Sequence, residues 1–193
     1  MKLSKKYTLE EIAGMFTVFG MDLYHCEEMS LFEHSAQMAI LAKTNGFSEE
    51  VQIAAFLHQI GDMLPENCES DGRALFGLKN KEKVAAGWLK ARGFSEMVVF
   101  LVEYHLHAKR YLMFRDPTSH NFIADAGYPG FNSRLMPMNE VEADAFDQLP
   151  YFELNIAMRK WGETSKVIDL AIPDMEHFLQ MIERHLERKA IVF

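Results

Sequence analysis

Three features of the sequence predict an all-α fold. Helix-capping signatures recur, apolar residues return at spacings of three and four, and no segment alternates apolar and polar residues as a strand would. The stretch "TLEE" offers Thr8 as a cap with Glu11 three residues on, and "SLFE" repeats the device with Ser30 and Glu33. The helix after Ser30 carries Met38, Ile40, Leu41 and Ala42 and stops at Asn45-Gly46, a pair suited to a left-handed C-cap. Ser48 caps the next, which bears Val51, Ile53, Ala54, Phe56, Leu57 and Ile60 and has His58 late in its course. A helix from Lys81 to Arg92 closes at Gly93, and Ser95 opens another through Val98, Leu101, Val102 and Leu106. Asn139 with Glu142 restarts helical structure, a further helix covers Tyr151 to Trp161, and Pro173-Asp174 begin the last, with Met175, Phe178, Leu179, Ile182 and Leu186 on one face. The result is a bundle of seven or eight helices without a sheet, one domain over residues 1–193. Residues 65–78 and 113–137, rich in Gly and Pro, read as loops, and the longer has the length of a lid.

Composition narrows the function classes. Apolar residues make up 49% of the chain, enough for a sizeable core. The formal net charge of −8, with scattered Lys and Arg, gives no electrostatic support to nucleic-acid binding. Two cysteines, Cys26 and Cys68, do not make a disulfide framework and fit a reducing compartment. No run reaches the 18 or more apolar residues of a membrane span, and "MKLSKKYTLEEIAG" lacks a signal-peptide core. A cytoplasmic protein with neither a nucleic-acid nor a membrane partner is expected.

Polar residues inside an apolar helix carry the functional question. In "AAFLHQIGDML", residues 54 to 64, the run Ala54 to Leu57 is interrupted by His58 and Gln59, and Asp62 follows one turn later. Buried polar groups need partners. Of eight histidines, His25, His120, His177 and His185 read as surface residues, whereas His34, His58, His105 and His107 lie in or beside apolar helices. If the helices of His34 and His58 pack antiparallel, their short connection brings both imidazoles to one end of the pair.

The stretches "LFEHSAQMA", "AAFLHQIGD" and "EYHLHAKRYL" resemble HD-domain metalloproteins, specifically the phosphonate-cleaving mixed-valent diiron oxygenases, relatives of myo-inositol oxygenase. The resemblance runs from about Leu23 to about Lys166, and "MNEVEADAF" and "MRKW" keep its register late in the chain. It implies an HD-type bundle with a two-iron cleft. Carried across, the ligands His34, His58 and His105 are present. Gln59 stands where the doublet Asp would bridge both irons, Lys81 replaces a second-iron His, and Gly162 replaces a late Asp. A neutral amide cannot bridge two cations, and an ammonium has no lone pair to give. The resemblance further implies Tyr24 and Glu27 as a lid pair and Lys109 as the phosphonate-binding lysine. It puts Asp62 where a substrate-contacting His would stand, and Gly127 and Gly130 where hydroxyl residues would stand.

Two expectations follow. In the first, the chain is a degenerate member that assembles no diiron centre and binds a small anion at Lys109 and Arg110, or acts through a protein partner not identified by the sequence. The Lys81 charge then occupies the place of the second metal. In the second, the chain is an oxygenase or phosphohydrolase with a rebuilt site. His58 and Asp62, spaced i and i+4, share a helix face and combine with His34 and His105 to hold one iron, zinc or manganese ion.

Overall fold

The computed structural model of the chain describes residues 4–22, 29–64, 81–116 and 136–190. Among them are eight α-helices and no strand, in agreement with the all-α expectation. They are α1 (Lys5–Phe19), α2 (Leu31–Thr44), α3 (Glu49–Leu57), α4 (Lys81–Ala91), α5 (Glu96–Arg115), α6 (Glu140–Asp147), α7 (Phe152–Thr164) and α8 (Met175–Ala190), with a 3₁₀ turn at Ile60–Asp62 after α3. Tyr24, Glu27, Gly127, Gly130 and residues 65–80 and 117–135, which hold most of the two expected loops, lie outside the described residues, and 113–115 of the second are helical.

Most capping signals work as read. Ser30 and Glu33 form a reciprocal capping box on α2, as do Asn139 and Glu142 on α6. The backbone amide of Ser30 holds the Glu33 carboxyl below its ordinary range, with the Ser30 hydroxyl adding to the effect. Gly46 and Gly93 take positive φ (79° and 86°) just beyond α2 and α4. The first cap is an exception. Ser4, not Thr8, caps α1, its hydroxyl accepting from the Tyr7 amide at 3.3 Å, and Thr8 is buried inside the helix. His185 also departs from expectation. It is 4% exposed, its Nε2 accepts the Ser95 amide at 3.1 Å, and its ring stacks on Phe94. One imidazole thereby ties α8 to the N-terminus of α5, because a free amide at a helix start needs an acceptor.

The core is organised by an aromatic stack. Phe56 of α3 lies between Phe16 of α1 (centroids 4.7 Å) and Phe178 of α8 (4.3 Å, planes within 5°). Phe32 of α2 meets all three edge-on. Four helices are thus locked through one side chain, with geometry that adds to the burial free energy. A second apolar cluster joins α5, α6 and the start of α7 around Phe146, Leu112 and Ile156. The bidentate Arg110–Glu142 pair (3.1 Å to each oxygen) and the bond from Arg110 Nε to the Met136 carbonyl (2.9 Å) fasten this layer. Among the described residues no helix is long and apolar enough to cross a membrane.

Candidate functional site

The three histidines expected to converge do so. The His58 ring is 5.3 Å from that of His34 on α2 and 5.5 Å from that of His105 on α5, centroid to centroid. The pairing of α2 with α3 and of α3 with α5 makes this row. His34 is fully buried, His58 is buried, and His105 is half-buried.

Backbone carbonyls orient all three rings. His58 Nδ1 donates to the Ala55 carbonyl at 2.8 Å and His105 Nδ1 to the Val102 carbonyl at 2.9 Å. His34 Nδ1 lies 3.3 Å from the Ser165 carbonyl and 3.2 Å from the Ser165 hydroxyl. A carbonyl can only accept, so for His58 and His105 the proton sits on Nδ1 and the lone pair on Nε2. Burial, reinforced by the neighbouring rings of His34 and His105 and the charge of Arg159, holds His58 far below the usual imidazole range. Desolvation also lowers His105, outweighing the Val102 bond and the Glu82 charge that oppose it, and the Lys81 charge adds to the lowering.

Asp62 does not share a helix face with His58. Helix α3 ends at Leu57, His58 is its C-cap, and residues 60–62 tighten into a 3₁₀ turn. Gly61 is required there. A Cβ would stand 2.7 Å from the Lys81 carbonyl oxygen, so the turn packs directly on the start of α4. That approach puts Asp62 against Lys81, whose ammonium it binds at 2.5 Å. Lys81 binds Asp62, and its charge acts on His105.

A second cation acts on the middle of the row. Arg159 of α7 acts electrostatically on His58, and its Nη1 is 3.6 Å from where a Cβ on Gly162 would stand. Thus Lys81 lies by His105 and Arg159 lies by His58 and Gly162, two positions where the resemblance expects metal ligands. Gln59 is buried beside His58. Among the described residues no three His, Cys, Asp or Glu side chains approach closely enough to hold one metal ion. Lys109 is half-buried on α5, and Arg110 is committed to Glu142.

Two site residues escaped the sequence reading. Glu82 is 7% exposed, and its charge reaches both His105 and His107. Its signal was its register with Ala85, Ala86 and Leu89, which puts a carboxylate on the buried stripe of α4. Arg159, whose charge reaches His58, carries a similar signal on α7.

No family model matches the chain. Three relatives span nearly its whole length. A [1-hydroxy-2-(trimethylamino)ethyl]phosphonate dioxygenase (glycine-betaine-forming) of Leisingera caerulea is 29% identical, covering 97% of this chain and 94% of the relative. A hydroxymethylphosphonate dioxygenase of Gimesia maris is 29% identical over 92% of this chain and 89% of its own length. The chain is related to phosphonate dioxygenases. An uncharacterised protein of Acanthamoeba polyphaga mimivirus is 25% identical over 91% of the chain and 80% of the relative.

Proposed function

We propose that this protein is a degenerate HD-domain relative of the phosphonate-cleaving diiron oxygenases that binds a small phosphonate-like anion without a diiron centre. The observation that carries the reading is the pair of cations whose charges reach the imidazole row, Lys81 at His105 and Arg159 at His58. An ammonium or guanidinium within this short range of a metal position opposes a divalent ion and replaces its charge. An ammonium and a guanidinium can hold an oxyanion through charge-assisted hydrogen bonds. Lys109, at the place of the phosphonate-binding lysine, is the third cation assigned to the ligand. Tyr24 and Glu27 are assigned to its cover.

Calorimetric titration of EDTA-treated protein with hydroxymethylphosphonate tests this. Binding that survives the chelator, with a rise in Tm on saturation, is the expected result. Binding that appears only after iron is restored contradicts it.

A second reading is favoured by the carbonyl-oriented imidazoles, since Nδ1–H on a carbonyl is how metal-ligating histidines are commonly held. It makes the protein a single-metal oxygenase or phosphohydrolase using His34, His58, Asp62 and His105, for which Asp62 must leave Lys81. Replacing Asp62 by Ala then abolishes binding of iron, zinc or manganese. Equal metal content in the two proteins rejects this reading.

A further inference from the structure

Helix α8 separates its charges. Arg184 and Arg188 turn to α3, where both bind Glu49 at 2.8 Å. Glu176, Gln180 and Glu183, at spacings of four and three, fall on the side toward α1. An open groove runs there between the two helices. They are antiparallel: Lys5 at the start of α1 binds Glu187 late in α8 at 3.0 Å, while Leu9 and Ala13 line the groove with Glu176 and Leu179. Leu9, Ala13 and Leu179 are each only partly buried, so a strip of apolar surface stays open to solvent along the groove.

The walls of that strip are acidic. Glu10 of α1 and Glu176 and Glu183 of α8 are exposed, and no Lys, Arg or His lines the groove. Compensation from nearby groups is slight. Lys6 approaches Glu10 at 3.9 Å with both side chains mostly exposed, and Gln180 donates an amide hydrogen to Glu176 at 2.9 Å. Carboxylates grouped around an apolar strip repel one another and attract cations. The charge pattern therefore selects the occupant. A second copy using the same groove would set these acids against their own counterparts, and an anionic membrane or a nucleic acid would be repelled.

We infer that the α1–α8 groove docks a basic amphipathic helix of a partner protein. Its apolar side chains cover Leu9, Ala13 and Leu179, and its Lys or Arg residues pair with Glu10, Glu176 and Glu183. A helix suits the place because the side-chain ridges of one helix settle into the groove between two others, with anchors three and four residues apart. The surface belongs to α1 and α8, whereas the imidazole row belongs to α2, α3 and α5. Docking is thus independent of what the row binds.

The probe is a fluorescein-labelled helical peptide of repeated Leu-Lys-Lys-Leu-Leu-Lys-Leu, titrated with the full chain and read by anisotropy. Wild type is expected to bind it and to ignore the same peptide with Glu in place of Lys. Joint replacement Glu10→Gln, Glu176→Gln and Glu183→Gln should weaken binding by about tenfold or more. An equal charge change on α6 and α7, Glu140→Gln with Asp147→Asn and Glu153→Gln, should leave it intact. Ala13→Leu fills the strip while keeping every acid, and should also weaken binding. These surface changes are expected to leave Tm where it is, so lost binding is not lost folding. A wild type that does not bind the basic peptide overturns the assignment. Equal losses in the two charge variants overturn it too, since the peptide would then answer to net charge alone. So does full binding by Ala13→Leu, or a wild-type dimer in sedimentation that the groove variant abolishes, which would make a second copy the occupant.

Discussion

Phe56 and His58 are two residues apart and belong to different worlds. Phe56 sits inside helix α3, with Phe16 and Phe178 on its two faces, and joins four helices by apolar contact. His58 closes the same helix, with one carbonyl bond, two imidazole neighbours and a guanidinium acting on it. The first environment is what a folding chain needs. The second is poor for stability, since it gathers buried polar rings beside a guanidinium. The contrast teaches that one end of α3 maintains the fold while the other joins the imidazole row, and the two ends should respond in opposite ways to substitution.

The largest effect should come from the aromatic end. Phe56→Ala removes the middle of the stack and is expected to cost about 3–5 kcal/mol, the range for truncating a buried Phe. His58→Leu, by contrast, relieves a desolvated imidazole and should leave stability equal or higher. Urea unfolding of both variants checks this, and a comparable loss from His58→Leu would break the comparison.

Acid should act next, and only on the polar end. The folded pKa values of His58 and His105 are lowered, so the unfolded chain binds more protons through these groups. Their contribution is fully present above the unfolded imidazole value of about 6.5 and is lost as pH falls toward the depressed folded values. The urea midpoint should therefore be lower at pH 5.5 than at pH 7.5, and His58→Leu should flatten that difference. An unchanged slope in the variant would mean that other groups govern it.

The smallest effect is expected at the Lys81–Asp62 pair. Both side chains are about a third exposed, so solvent screens the pair. Lys81→Met should change unfolding free energy by less than about 1 kcal/mol, yet weaken phosphonate binding measured by titration. Loss of stability with binding intact would make Lys81 a structural residue and remove it from the site.

How much of this was readable beforehand follows from the range of the interactions. Capping boxes at Ser30 and Asn139 and the left-handed Gly46 are local, and local spacing revealed them. The row of His34, His58 and His105 was legible through resemblance and apolar register together. The end of α3 was not, because it depends on the Lys81 backbone pressing on Gly61 from another helix. The burial of His185 depends on an amide ninety residues away, which no local pattern encodes. Arg159 was missed because a lone cation on an amphipathic helix looks, in sequence, like part of the solvated face.

The central claim is that Lys81 and Arg159 stand in for metal ions. The most direct measurement is iron per chain after anaerobic loading with ferrous iron and desalting, beside a variant carrying Gln59→Asp, Lys81→His and Gly162→Asp together. The account predicts near-zero iron in the natural chain and a clear gain in the variant. Two tightly held irons in the natural chain would contradict it.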